Sequence, residues 1–406
     1  MTGQDQGGVR RRRVFYIPGY DPIHPRRYRE LYRKEGAEQA AISGYDLSLT
    51  PKTTSGPYGW HVTGTMEQAI CDTDFDVLVW SDIVRDSMSQ SIAATYGQLI
   101  RTAWEYISSG ALFRLMRLRK GPVIAALYPV GMLLLQAVLA LMVVVVPTLI
   151  GTKIAPWAGA VGFGVGTLCA TRLLKWFKSK DGKFFAYYLM HDYAYSARWR
   201  GANPVALERR MAEFGDQIAA ALSGPYDEVL IVGHSSGAHL GVSILADLIR
   251  ADRVPAQGPV LSFLSLGQVV PMVSFLRDAW RLRADLAFLS TSDRLTWVDV
   301  TAPGDGCAFA LCDPVAVSGV ATAGQKWPLV ISAAFTQSLS PERWQALRWR
   351  FFRLHFQYLC AFDRPKDYDY FRITAGPVTL WDRFRDRPAS PSRIRKPVNR
   401  YRSVQP

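Results

Sequence analysis

The sequence predicts an α/β protein: a mostly parallel sheet with helices on both faces, interrupted by a transmembrane hairpin of two helices. Three observations carry this. Short apolar runs of strand type alternate with longer segments of helical spacing on both sides of the chain's middle, the order that builds a parallel sheet covered on both faces. No charged residue stands between Gly121 and Thr152, whereas an α-helix needs about 20 apolar residues to cross a bilayer. A second uncharged segment, Ile154 to Thr171, follows at once.

Taken in order, "RVFYIPGY" is an apolar run ended by Pro-Gly and reads as a strand. The basic N-terminus before it lacks the apolar region of a signal peptide. "PRRYRELYRKEGAEQA" has helical spacing, "GYDLSLT" and "YGWHVTGT" alternate as strands do, and "DFDVLVWS" is a buried-strand run. Ser81 to Ile107 reads as one helix, with Ile92, Tyr96, Leu99, Ile100 and Trp104 as a stripe packed into the core. Beyond the hairpin come the helix "NPVALERRMAEFGDQIAAALSG", the strand "DEVLIVG" and the helix "AHLGVSILADLIRA". The strands "PVLSFLSLG", "RLTWVDVTAP" and "KWPLVISAAF" follow.

The hairpin turns at "GTK", and Gly162 and Gly166 are small enough to let two membrane helices approach closely. Arg114, Arg117, Arg119 and Lys120 precede the first span, and Arg172, Lys175, Lys178, Lys180 and Lys183 follow the second, while the link holds only Lys153. The positive-inside rule therefore places both flanks in the cytoplasm. The expectation is an integral protein of an inner or plasma membrane whose soluble parts meet on the cytoplasmic side. Residues 1–120 and 175–380 form that soluble domain, 121–174 the hairpin, and 381–406 a basic, Pro-containing tail, solvated or touching lipid.

A net charge of +14 over 406 residues calls for an anionic neighbour. Two of the four basic clusters flank the apolar region, and no nucleic-acid motif accompanies them, which selects an anionic lipid surface over nucleic acid. The five cysteines are odd in number and scattered, as in a reducing compartment. Cys307 and Cys312 have no second pair or His cluster nearby, so no metal or other cofactor is expected.

The chemistry centres on "VLIVGHSSGAHLGVSILADLI". Gly-x-Ser-x-Gly alone arises by chance in roughly one of seven or eight chains of this length. Its surroundings matter more: a β-type run leads into it and an apolar helix leaves it, the strand, sharp turn and helix of a nucleophile elbow. Ser235 would sit in the strained turn, with Gly233 and Gly237 leaving room for the neighbouring backbone. The backbone N–H of Ser236 would face the incoming carbonyl as an oxyanion donor.

On "VFYIPGY", "VLIVGHSSGAH" and the strands that follow, the chain resembles the α/β-hydrolase superfamily, in its serine esterase and lipase branch. The resemblance spans both soluble parts. It implies the chain order nucleophile, acid, base. His24, His61 and His191 precede Ser235, His234 adjoins it and His239 lies one helical turn beyond, so that order leaves His355 as the base. The acid comes from Asp299, Asp305 and Asp313; Asp305, in the Gly-rich loop after a strand, is the choice. The family's second oxyanion donor follows the first strand, which implies the backbone N–H of Tyr20, or else of Gly19. The family's fuller His-Gly-Gly-Gly form is absent.

The function so implied is a membrane-anchored serine hydrolase cleaving a lipid or other acyl ester through an acyl-enzyme on Ser235. Thioesterase, acyltransferase or amidase chemistry would use the same residues. The rival class is a catalytically inactive membrane scaffold or binding protein of hydrolase fold. The oligomeric state is left open.

Overall fold

The computed structural model describes residues 8–53, 55–88 and 91–406. Every run read as a strand lies in one eight-stranded sheet: β1 (Arg11–Ile17), β2 (Asp46–Pro51), β3 (Gly59–Met66), β4 (Ala69–Val77), β5 (Glu228–His234), β6 (Val260–Leu266), β7 (Thr296–Thr301) and β8 (Leu329–Ser332). The order across the sheet is β2-β3-β4-β1-β5-β6-β7-β8. The six strands from β4 to β8 in that order are parallel, and β2 and β3 extend the β4 edge as an antiparallel meander.

The chain leaves β1 towards the β4 side and leaves β5 towards β6. The β1/β5 pair is therefore a topological switch point, where a crevice opens beyond the carboxyl ends of the strands. The pleat sends alternate residues to opposite faces. Val14, Tyr16, Leu230 and Val232 join a core with the helix Arg26–Ser43 and the aromatic residues of 354–384. Phe15, Ile17, Val229 and Ile231 join another with the helices Val205–Leu222, Ser236–Arg250 and Trp280–Thr291. Both faces being dry explains why these strands read as unbroken apolar runs.

Two helices, Lys120–Ile154 and Pro156–Ser179, are long and apolar enough to cross a membrane. The turn lies one step later than expected. "GTK" stays helical, and the chain breaks at Ala155, in extended conformation, because Pro156 starts the second helix. A Cβ on Gly162 would lie 2.4 Å from the Pro147 carbonyl oxygen and one on Gly166 2.8 Å from that of Val143, so the two helices pack as closely as small residues allow.

Four further differences have physical reasons. β4 begins five residues before the run that announced it, because Glu67 and Gln68 make a tight turn at φ 53° and 62° without a glycine or asparagine to signal it. The segment from Ser81 forms two helices, Ser81–Met88 and Ile92–Ser108, the second capped by the Ser91 hydroxyl on the Ala94 N–H; residues 89 and 90 fall outside the described residues. The apolar stripe on it splits. Ile92, Tyr96 and Leu99 pack against the hairpin, whereas Ile100 and Trp104, on the uncovered side, are 68% and 71% exposed. The C-terminal tail, expected to be solvated, is laid onto the domain. Ile394 pairs with Cys312, and buried Asn399 donates to the Ser274 carbonyl at 2.9 Å.

Part of the positive charge is internal. Arg12 is buried with Glu228 (2.6 Å) across β1 and β5, and Arg13 pairs with Asp74 and Asp76. These ion pairs lock the central strands and are unavailable to an anionic surface.

Candidate active site

Ser235 stands between β5 and the helix Ser236–Arg250 at φ 57°, ψ −120°, a conformation that costs an L-residue of order 1–3 kcal/mol. The turn is held because its surroundings leave no alternative. Its N–H donates to the Leu266 carbonyl at 2.9 Å. A Cβ at Gly237 would meet the Ile17 carbonyl oxygen at 2.1 Å, and one at Gly233 the Gly237 carbonyl at 2.7 Å. The loop after β1 closes in from the other side: a Cβ at Gly19 would stand 3.0 Å from that of Ser235. Among the described residues neither the Ser236 N–H nor the Tyr20 N–H is committed to an acceptor, so both remain available as donors beside Ser235. The Gly19 N–H is free as well.

Asp305 and His355 meet, 50 residues apart in sequence. His355 Nδ1 lies 2.7 Å from Asp305 Oδ2. Asp305 also accepts from the Tyr358 hydroxyl (3.0 Å) and, at Oδ1, from the Cys307 N–H (2.8 Å). Burial by itself would push this carboxyl up. The charge of His355 and the hydrogen bonds from His355, Cys307 and Tyr358 outweigh it and hold Asp305 below its usual range. An ionised carboxylate on Nδ1 leaves Nε2 of His355 as the basic nitrogen. Ser235 and His355 line one cavity of about 630 Å³, and among the described residues the Ser235 hydroxyl makes no hydrogen bond to His355.

The other two acid candidates are placed elsewhere. Asp299 is buried within β7, accepts from the Ser265 hydroxyl at 2.6 Å, and is pushed up to about 8 by burial. Asp313 caps the helix Pro314–Val317 through two backbone N–H groups and bonds Gln325. Both are structural carboxyls.

Several contributors carried no motif. His234 donates from Nε2 to the His355 carbonyl at 3.0 Å and stacks against its ring at 4.8 Å; burial, then the charge of His355, lowers it to about 3, so it stays neutral. Tyr358 donates to Asp305 from the turn that follows His355, and its place in "FRLHFQYL" is its one signal in the sequence. The helix Ala186–Arg198 roofs the cavity. From it the Tyr188 hydroxyl donates to the Tyr20 carbonyl at 2.5 Å, tying the loop after β1 to this helix. Asp192, on the same helix, lines the cavity without a hydrogen-bond partner among the described residues and is raised to about 7, by burial against the pull of His355.

Asp305, Cys307 and His355 bring ligand-type atoms within 4.8 Å of one another. Their chemistry does not suit a metal. Asp305 and His355 are bonded to each other, and burial, followed by Asp305 and Asp192, drives the Cys307 thiol well up, so that it stays protonated.

The hairpin reaches into this site. Pro122, at the start of its first helix, and Phe185, just beyond its second, line the cavity. A Cβ on Gly121 would stand 3.2 Å from the carbonyl oxygen of Gly306, next to the acid. No protein-family model, curated protein or solved structure matches the chain.

Proposed function

We propose that the chain is a membrane-anchored serine hydrolase of α/β-hydrolase type that cleaves a carboxylic ester, of a lipid or another acyl compound. The single observation that carries this reading is the convergence of a strained Ser235 with the bonded pair Asp305–His355 on one cavity at the sheet's switch point.

In the reaction Ser235 Oγ attacks the ester carbonyl while His355 Nε2 takes its proton. Asp305 stabilises the imidazolium so formed. The oxyanion is met by the N–H groups of Ser236 and of Tyr20 or Gly19, which no other acceptor among the described residues engages. His355 returns the proton to the leaving alcohol, then activates water against the acyl-enzyme by the same path. The basic flanks at Arg114–Lys120 and Arg172–Lys183 argue for a catalytic domain on the cytoplasmic face, where the cations at the headgroup level, Arg172 and Lys175, contribute about 1 kcal/mol each against an anionic leaflet.

A non-catalytic scaffold has one observation in its favour, the absent Ser235–His355 hydrogen bond. Such bonds tighten on substrate binding in many hydrolases, and a scaffold has no use for a strained serine. A fluorophosphonate probe separates the two: covalent labelling lost in Ser235→Ala and in His355→Ala supports the enzyme, and labelling independent of both refutes it.

A further inference from the structure

The hairpin is asymmetric in a way that crossing a bilayer does not require. Its packing register is fixed by the close approaches of Gly151 to Ala158, Gly162 to Pro147 and Gly166 to Val143. Continued towards the soluble domain, that register sets Arg172 level with Ala137 and Lys178 level with Gly131. The second helix thus meets charge, and so the headgroup layer, at Arg172. The first remains uncharged for the 16 residues from Gln136 down to Gly121, about 24 Å at the α-helical rise. A headgroup layer is only ~5–8 Å deep on each side.

Only an extreme tilt would absorb the excess. The exposed apolar stripe of the first helix, through Ile124, Leu127, Leu134, Val138, Leu141 and Leu149 to Ile150, extends about 40 Å. Fitting that into a hydrocarbon core of about 30 Å takes a tilt of roughly 40°, the extreme of what membrane helices adopt. The lower end of the stripe is therefore apolar surface beside the soluble domain. It is not isolated there. Ile100 and Trp104 are exposed on the helix that packs against the same stretch through Tyr96 and Leu99. Ile124 is two residues from the cavity-lining Pro122, and the Tyr128 hydroxyl bonds the Phe184 carbonyl (2.8 Å), next to the cavity-lining Phe185.

We propose that this extension is a ramp that carries an acyl chain from the cytoplasmic leaflet to the cavity, so that the substrate is a long-chain lipid drawn from the bilayer and not an ester dissolved in water. The identity of the substrate rests on the hydrolase reading; the ramp itself does not. Its occupant is a lipid chain because the stripe is continuous with the face of the hairpin that lipid covers, and because the cavity at its end is walled by Phe185, Leu189, Phe352 and Phe356. The cations at Arg172, Lys175 and Lys178 meet the headgroups alongside.

The test uses the full chain in vesicles of phosphatidylcholine and phosphatidylglycerol containing a phospholipid with a diazirine at the end of one acyl chain. After irradiation, adducts should map to Ile124–Tyr128 and to Phe185 or Leu189. Adducts confined to residues 134–175, or chain-to-chain covering of Ile124 and Leu127 detected by cross-linking, would overturn the ramp. In a second arm, Ile124→Gln with Leu127→Gln should slow hydrolysis of a long-chain ester in vesicles about tenfold. It should leave the rate of Ser235 labelling by a small water-soluble fluorophosphonate unchanged. Equal losses in both, or no loss in either, count against the ramp. If the wild type ignores the small probe while lipid adducts still reach the cavity, the hydrolase reading falls and the ramp stands.

Discussion

The floor of the cavity and its roof are built by different means. The floor is backbone: the loop after β1, the turn after β5 and the loop after β7 are held by strand pairing, by a tight approach at Gly19 and one too close for a side chain at Gly237, and by hydrogen bonds around Asp305. The roof is side-chain surface, set by Tyr188, Asp192 and Phe185 on segments that follow the hairpin. A floor of this kind fixes reacting atoms to fractions of an ångström, whereas an aromatic roof supplies shape and a low dielectric. On the proposed reading, reaction chemistry belongs to the sheet, and the choice of substrate to the inserted segment.

Substitutions distinguish the two regions by size and kind of effect. The largest belongs to the floor. Asp305→Asn should lower kcat about 10⁴-fold on any ester, since it leaves His355 in the wrong tautomer. Asp313→Asn, which keeps an oxygen for the helix cap but disturbs the bond from Gln325 and the ion pair with Arg395, should cost about 1 kcal/mol of stability and little rate. Rates and melting curves of both variants check this, and a larger rate loss in Asp313→Asn would reassign the acid. Next comes Gly237→Ala. Its new Cβ, 2.1 Å from the Ile17 carbonyl, has to push β1 from the elbow, with an expected loss of about 1–3 kcal/mol in stability and at least tenfold in kcat. Wild-type melting and activity would show that the floor is softer than described.

Roof substitutions should act more gently. Tyr188→Phe removes one hydrogen bond to the oxyanion loop, a net of about 0.5–1.5 kcal/mol, or roughly two- to tenfold in kcat/KM. Asp192→Asn is the smallest. Asp192, raised to about 7, is neutral in acid and negative above neutrality, where its charge, like that of Asp305, favours the imidazolium formed as Ser235 loses its proton. The variant should match the wild type below about pH 6 and fall about twofold behind it in kcat/KM near pH 7–8. A variant faster than the wild type at pH 7–8 would mean that ionised Asp192 hinders the reaction.

The floor was far more legible in the sequence than the roof. Apolar runs announce strands buried on both faces, and "GHSSG" between a strand and a helix announces an elbow, because each rests on local chemistry. Asp305 could be preferred over Asp299 and Asp313 by its loop position, yet only the folded chain brings it to His355. Asp192, Tyr188 and His234 act through tertiary placement and leave no local pattern. The exposed Ile100 and Trp104 differ for the opposite reason: helical spacing reports an apolar face, and an exposed one reads like a core-facing one. The tail misled because charge and proline suggest solvation, while Ile394 and Asn399, which anchor it, are single residues.

The most direct test of the account is the mass-spectrometric site of fluorophosphonate modification in the full-length, detergent-solubilised chain. One adduct is expected, on Ser235, lost in Ser235→Ala and strongly slowed in His355→Ala and Asp305→Asn. Modification at another residue, or none in a folded preparation, would contradict it.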